Sequence, residues 1–190
     1  GRDMESVPTS GEDQHATTTT VSKDADDLVS EIHSQNVECF NSTTSWKFAV
    51  TEGRDSPLLS LDSELDDGEL LLTIQFNQIV HLRAVLVHGK SGEERISAPK
   101  RVKLFANKPN YQFDDCSTKK ATQKLLFEEK ECIFREGNAM ELDQTLFKNV
   151  RTITLFVETN QSDAPQTKIG KIQFFGTPVH TTDMSAIKKC

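Results

Sequence analysis

A chain of 190 residues, 35% hydrophobic and 27% charged, has the length of one domain with room for a tail. Its 22 basic residues against 29 acidic ones leave a formal net charge of −7, which excludes the broad basic face that sequence-independent nucleic-acid binding needs. The longest apolar runs are about four residues, as around Leu70, Leu71 and Leu72. A helical membrane span needs roughly 20, so no membrane partner is expected.

The charge is concentrated at the start. Residues 1–27 hold Arg2 and Lys23 against Asp3, Glu5, Glu12, Asp13, Asp24, Asp26 and Asp27, so they carry −5 of the −7. With five apolar residues, no aromatic ring and a Thr17–Thr20 run, this segment cannot bury enough surface to offset its ordering entropy, and it is expected to be a disordered tail. Gly1, Arg2 and Asp3 ahead of Met4 read as an expression-vector remnant. The segment has neither the cationic start nor the apolar stretch of a secretory signal. A reducing compartment is therefore expected, which makes the Asn41-Ser42-Thr43 and Asn160-Gln161-Ser162 glycosylation patterns inert. Cys190 has nothing after it with which to form a prenylation box.

One stretch reads as helix. Across Asp24–Gln35, Leu28 and Ile32 stand four apart with acidic residues in the first turn, where they complement the helix dipole. From residue 70 the period becomes two. Leu70, Leu72, Ile74 and Phe76 alternate with Leu71, Thr73 and Gln75, and after Asn77-Gln78 the alternation resumes with Val80, Leu82, Ala84 and Leu86, predicting two strands with a tight connection. Val102, Leu104 and Ala106 mark another strand, and Ile153, Leu155 and Val157 a further one. Ile172 and Phe174 share one parity while Ile169 takes the other, with Gly170 between, as a bulge at a glycine would produce. Strands are also expected within 125–134 and 145–150. About seven short strands without alternating helices predict an all-β, antiparallel sandwich over residues 28–190 with a short N-terminal helix at its edge.

Candidate chemistry is sparse. The four cysteines, Cys39, Cys116, Cys132 and Cys190, lie 77, 16 and 58 residues apart, unlike a redox dithiol or zinc knuckle. The acidic run Asp62, Glu64, Asp66, Asp67 and Glu69 lacks the glycine and following helix of an EF-hand loop. It reads instead as a solvated loop or a recognition patch for a basic partner. His81 and His88 differ in strand parity and do not form a ligand pair. No phosphate loop, dinucleotide fingerprint, nucleophile elbow or HExxH motif occurs. No catalytic residue, metal or cofactor is expected. Of 13 aromatic rings, 11 are Phe, so Trp46 and Tyr111 are the candidate platforms if the domain binds a carbohydrate or small ligand.

A series of short segments then falls into a familiar order. Val37-Glu38-Cys39-Phe40-Asn41, Ser63-Glu64-Leu65-Asp66-Asp67, Phe76-Asn77-Gln78-Ile79-Val80, Phe105-Ala106-Asn107-Lys108-Pro109, Phe113-Asp114-Asp115, Phe147-Lys148-Asn149-Val150, Asn160-Gln161 and Phe175-Gly176-Thr177-Pro178-Val179 through Thr182-Asp183-Met184 follow one another along the chain. The series resembles the PITH domain, the C-terminal domain of proteasome-interacting thioredoxin-like proteins. The resemblance implies a jelly-roll sandwich similar to galactose-binding domains, and association with the 26S proteasome in cytoplasm and nucleus. Many relatives carry a thioredoxin domain with a Cys-x-x-Cys site, a motif missing here; with Met4 as the start, the chain resembles the stand-alone PITH type. Its departures are an apparent extra residue near Gly68 and the Thr-rich tail. The expected function is a monomeric, non-enzymatic protein-interaction module. Candidate partner-binding residues are Glu64, Asp66, Asp67, Glu69, Asn160, Gln161, Thr177, Thr182 and Asp183.

Overall fold

Alternating apolar residues can cover each other only if the strands that carry them face one another, and the chain accomplishes this by folding its longest strand in two. The computed structural model describes residues 25–133 and 138–179, without the side chains of 93–95. In chain order the strands are β1 (Asp26–Asp27), β2 (Ile32–Phe40), β3 (Leu61–Asp62), β4 (Leu70–Gly89), β5 (Pro99–Ala106), β6 (Gln123–Leu126), β7 (Met140–Glu141), β8 (Val150–Asn160) and β9 (Lys168–Pro178). Two short helices, α1 (Lys47–Val50) and α2 (Phe113–Thr118), and three 3₁₀ segments complete the described elements. Every ladder is antiparallel.

The first half of β4 pairs with β8 from Leu70↔Val157 to Gln75↔Thr152, and with β2 on its other edge. β8 continues into β5 and β5 into β6, making one layer. The second half of β4 pairs with β9 from Val80↔Pro178 to Gly89↔Ile169, with β7 on its other edge, while β9 carries β1 and β3. A straight strand of this length would place its ends roughly 60 Å apart. Yet Thr167 donates its hydroxyl to the Gly68 carbonyl at 2.6 Å, and Ile169, two residues on, is the register partner of Gly89. The chain therefore reverses across residues 77–79. The two predicted strands and their connection become one extended segment whose corner, Val80, pairs with both Val150 and Pro178.

Leu70, Leu72, Ile74, Phe76, Leu104, Ile153 and Leu155 of one layer meet Val85, Val87, Ile172 and Phe174 of the other in a single buried core. Phe76 and Phe174 join edge to face with ring centroids 6.1 Å apart. The even-numbered parity expected from Val80 to Leu86 holds only as far as Leu82. Arg83 is an extra residue between the pairs Leu82↔Gly176 and Ala84↔Phe175, so Val85 and Val87 turn inward instead. At Gly170 the predicted bulge is present: Ile169 faces Gly89 and Lys171 faces His88, and a Cβ there would lie 2.6 Å from the Gly89 carbonyl oxygen.

A second cluster covers the outer face of the β5–β8–β4 layer. Leu71, Phe105 and Phe156 are buried beneath Cys116 and Ala121, with Tyr111 and Phe113 against them. A capping box between Gln112 and Asp115 starts α2 and fixes this cover.

Three expected elements differ. The helix over 24–35 is only a 3₁₀ turn, Leu28–Glu31, capped by Asp27, whose carboxylate accepts the Val29 N–H at 3.0 Å. Ile32 then enters β2 opposite Phe76, because core burial and pairing outweigh the weak helix preference of Ser30, His33, Ser34 and Asn36. Asp26 and Asp27 pair with Gly176 and Phe175, and Arg54 forms an ion pair with Asp27, so the sheet begins two residues before the expected tail boundary. The remainder of that tail, 1–24, lies outside the described residues. Of the described residues 125–133 only the end of β6 is a strand, followed by a 3₁₀ turn over Glu129–Glu131, and 134 lies outside the described residues. Residues 145–149 form turns, begun by the Asp143 carboxylate accepting the Thr145 N–H at 2.8 Å, and β8 opens at Val150.

Candidate interaction surface

Three loops close one pole of the sandwich and hold each other through backbone groups. Asn41 takes a left-handed conformation (φ 69°), from which its carbonyl accepts the Glu64 N–H at 2.9 Å and its side-chain amide donates to the Glu69 carbonyl at 2.7 Å. Thr44 donates its hydroxyl to the Ser60 carbonyl at 2.9 Å and accepts the Asp62 N–H at 2.8 Å. On the other flank Ser63 and Thr167 exchange two bonds of 2.9 Å, and the Gln166 amide donates to the Ser63 carbonyl at 2.7 Å. The acidic loop is thus clamped between residues 41–44 and 161–167.

This clamp turns Glu64, Leu65, Asp66 and Asp67 outward, while Glu69 is half-buried. Neither 63–69 nor 161–167 contains a lysine or arginine, and Asp163 adds an exposed carboxylate. Burial pushes the Glu69 carboxyl above its ordinary range, and the like charges of Asp67 and Glu158 push it further. Within this charge Leu65 is 65% exposed, and Phe40 across from it is beyond a third; Leu58 and Leu59 are further exposed apolar residues on the α1 side, where a Cβ on Gly53 would meet Leu59. Phe40 immediately precedes the Asn41 clamp, and Leu58 and Leu59 precede Ser60.

The other candidate residues separate. Asn160 is buried; its amide donates to the Ala164 carbonyl at 2.9 Å and to the Thr167 hydroxyl at 3.2 Å, and its oxygen accepts the Ala164 N–H at 2.7 Å. The Gln161 amide donates to the Pro99 and Phe127 carbonyls at 2.9 and 2.7 Å. Both residues build the pole from within. Thr177 pairs with His81 near the opposite end of β9, about 26 Å from Ile169 at strand rise, so it shares no surface with the acidic loop. Thr182 and Asp183 lie outside the described residues.

Trp46 packs against the core with the Lys47 ammonium 5.9 Å from its ring centroid. Tyr111 meets Phe105 edge-on at 5.3 Å, with the Lys119 ammonium 4.8 Å from its ring. Both rings are half-buried and engaged in packing, unlike the open platforms expected of a sugar site. Cys39, Cys116 and Cys132 are free thiols; desolvation first of all pushes them up to about 11, 11 and 12. Among the described residues no three His, Cys, Asp or Glu side chains gather to hold a metal, and no helix is long and apolar enough to cross a membrane. The exposed Phe40, Leu58, Leu59 and Leu65 are the residues that sequence reasoning missed. For the three leucines the signal was apolar identity in polar segments with no strand parity, as in Glu64-Leu65-Asp66, while Phe40 closes β2 on its exposed parity.

Residues 18–190 match the family model of the PITH domain. The chain belongs to the PITH domain family. Among its relatives, thioredoxin-like protein 1 of Schizosaccharomyces pombe is 25% identical over 162 residues, covering 83% of this chain and 53% of that protein. A PITH domain-containing protein of Drosophila melanogaster is 32% identical over 96 residues, 48% of this chain and 44% of that one. The chain thus spans about half the length of these relatives. Among solved structures, the PITH domain superposes on a CBM32-3 domain from a family 31 glycoside hydrolase of Clostridium perfringens with a TM-score of 0.55 at 13% identity, covering 77% of this chain and 95% of that one. It superposes on the F5/8 type C domain of a Bacteroides fragilis protein with a TM-score of 0.55 at 12% identity, covering 83% and 100%. The fold is therefore the galactose-binding-like β-sandwich expected from the sequence.

Proposed function

We propose that this PITH domain is a non-enzymatic protein-interaction module, active in cytoplasm and nucleus, that associates with the 26S proteasome. The observation that carries the reading is the hydrogen-bonded pole on which the exposed Leu65 stands among the exposed carboxylates of Glu64, Asp66 and Asp67. Membership of the PITH family supports the proteasome as the partner, and the three high-pKa thiols leave no activated cysteine among the described residues from which to build redox catalysis. The test is affinity capture with the untagged protein from a native extract, read by mass spectrometry. Proteasome subunits should co-purify in stoichiometric amounts; a list without them overturns the assignment. The alternative, a carbohydrate-binding module, draws on the two solved neighbours' fold and would need an uncovered aromatic ring. A glycan array should return no ligand, and a specific hit abolished by Trp46→Ala would reverse the choice between the two readings.

A further inference from the structure

The exposed apolar side chains of the clamped pole are held outward by the backbone. Leu65 sits between Glu64, whose N–H is bonded to the Asn41 carbonyl, and Asp66, which takes a left-handed conformation (φ 64°). The turn therefore presents Leu65 outward, 65% exposed. Phe40, beyond a third exposed, lies across from it, because Asn41 is bonded to Glu64 and Ser42 is bridged to Ser63. A cluster of this kind gains free energy only when another apolar surface covers it.

The sign of the surrounding charge restricts what can cover it. Glu64, Asp66, Asp67 and Asp163 are exposed, and the two loops that bear them contain no cation. A nucleic acid or an anionic bilayer would bring like charge to this rim. A second copy meeting it face to face would do the same, because a two-fold interface sets each patch against its own image. A cationic partner gains on both counts, since its ammonium or guanidinium groups meet carboxylates while its apolar groups meet Leu65 and Phe40. The loops' mutual hydrogen bonds fix this arrangement before contact, which lowers the entropy cost of docking.

We propose that Phe40 and Leu65, beside the carboxylates of Glu64, Asp66 and Asp67, dock a cationic protein segment that carries apolar side chains of its own. The proposal rests on the interaction-module reading and names the chemistry of its partner.

The test uses the full chain and synthetic peptides of alternating lysine and leucine, with lysine–serine and glutamate–leucine counterparts, followed by fluorescence anisotropy. The lysine–leucine peptide should bind, and both counterparts should bind at least about tenfold more weakly. Leu65→Ser and Glu64→Lys change side chains that make no clamp contact, so melting should be unchanged while affinity for the lysine–leucine peptide falls by about tenfold or more. Raising salt should weaken it further, because the screening length shrinks from about 10 Å at 0.1 M to about 3 Å at 1 M. Equal binding of the lysine–serine peptide, or indifference to both substitutions, overturns the proposal. A parallel arm presents purified 26S proteasome to the same proteins. Capture undiminished by both substitutions would sink this surface and keep the proteasome reading. Failure of the wild type to be captured while the peptide preference persists would sink the proteasome reading and keep this surface.

Discussion

Asn41 and Glu69 lie 28 residues apart, yet the Asn41 side-chain amide donates to the Glu69 carbonyl at 2.7 Å. That bond closes the base of the acidic loop, and it depends on a backbone conformation that asparagine adopts more readily than most residues. Asn41→Ala should therefore destabilise the domain by about 1–2 kcal/mol, through a lost hydrogen bond and a left-handed residue with no compensating side chain. Asn41→Gly should recover part of the loss by relieving the conformation alone. Urea denaturation of the two variants measures the split.

Gly170 accommodates the bulge at which β9 changes parity against β4. A methyl group there would meet the Gly89 backbone, which cannot rotate away. Gly170→Ala should cost about 1–3 kcal/mol, visible as a lowered melting temperature, and the strand shift should reach the Leu61↔Ile169 pair. A variant as stable as the wild type would show that the bulge relaxes elsewhere.

The three described thiols titrate well above the ordinary value of 9.0 in the folded chain. Raised folded values mean that their contribution to stability is complete below pH 9 and is lost as pH climbs through about 11 to 12. Melting temperature should fall progressively in that alkaline window. In a Cys190→Ser background, thiol labelling at neutral pH should be slow in the native state and fast in denaturant. Rapid native labelling of Cys39 would contradict this account.

Glu69 is also raised, by burial and then by Asp67 and Glu158. Its neutral form suits the fold better, so any stabilisation from that form is present at low pH and disappears as pH rises through the folded value. Glu69→Gln should melt at or above the wild type at pH 7, with the difference closing towards the acidic range where both side chains are uncharged. A variant less stable than the wild type at pH 7 would mean that the carboxylate is a partner in a bond rather than a repelled charge.

Layered β structure was legible because period-two alternation in Leu70–Phe76, Val102–Ala106 and Ile153–Val157 directly encodes which face is buried. The Gly170 bulge was legible for the same reason, as a change of parity beside a residue without a Cβ. Arg83 was not, since an inserted residue between apolar neighbours leaves Ala84, Val85 and Leu86 equally able to face inward. The 24–35 segment misled because its helical spacing was real but short, and Leu28 and Ile32 are core contacts of a turn and a strand. At the pole, Glu64, Asp66 and Asp67 were visible as charge. Asn160 and Gln161 were picked out by resemblance, but their place inside the loops depends on contacts with Thr167, Pro99 and Phe127 that no local pattern announces.

Asp26 is paired with Gly176, and the Ile79 carbonyl, at the fold of β4, accepts the N–H of Val179 at 2.8 Å. The described chain therefore enters and leaves the sandwich beside the corner of β4, at the end away from Leu65. A dye or sensor-chip linker attached at the exposed corner residues Asn77 or Gln78 is thereby stationed behind the molecule, and immobilised protein should present its acidic crown to the passing solution.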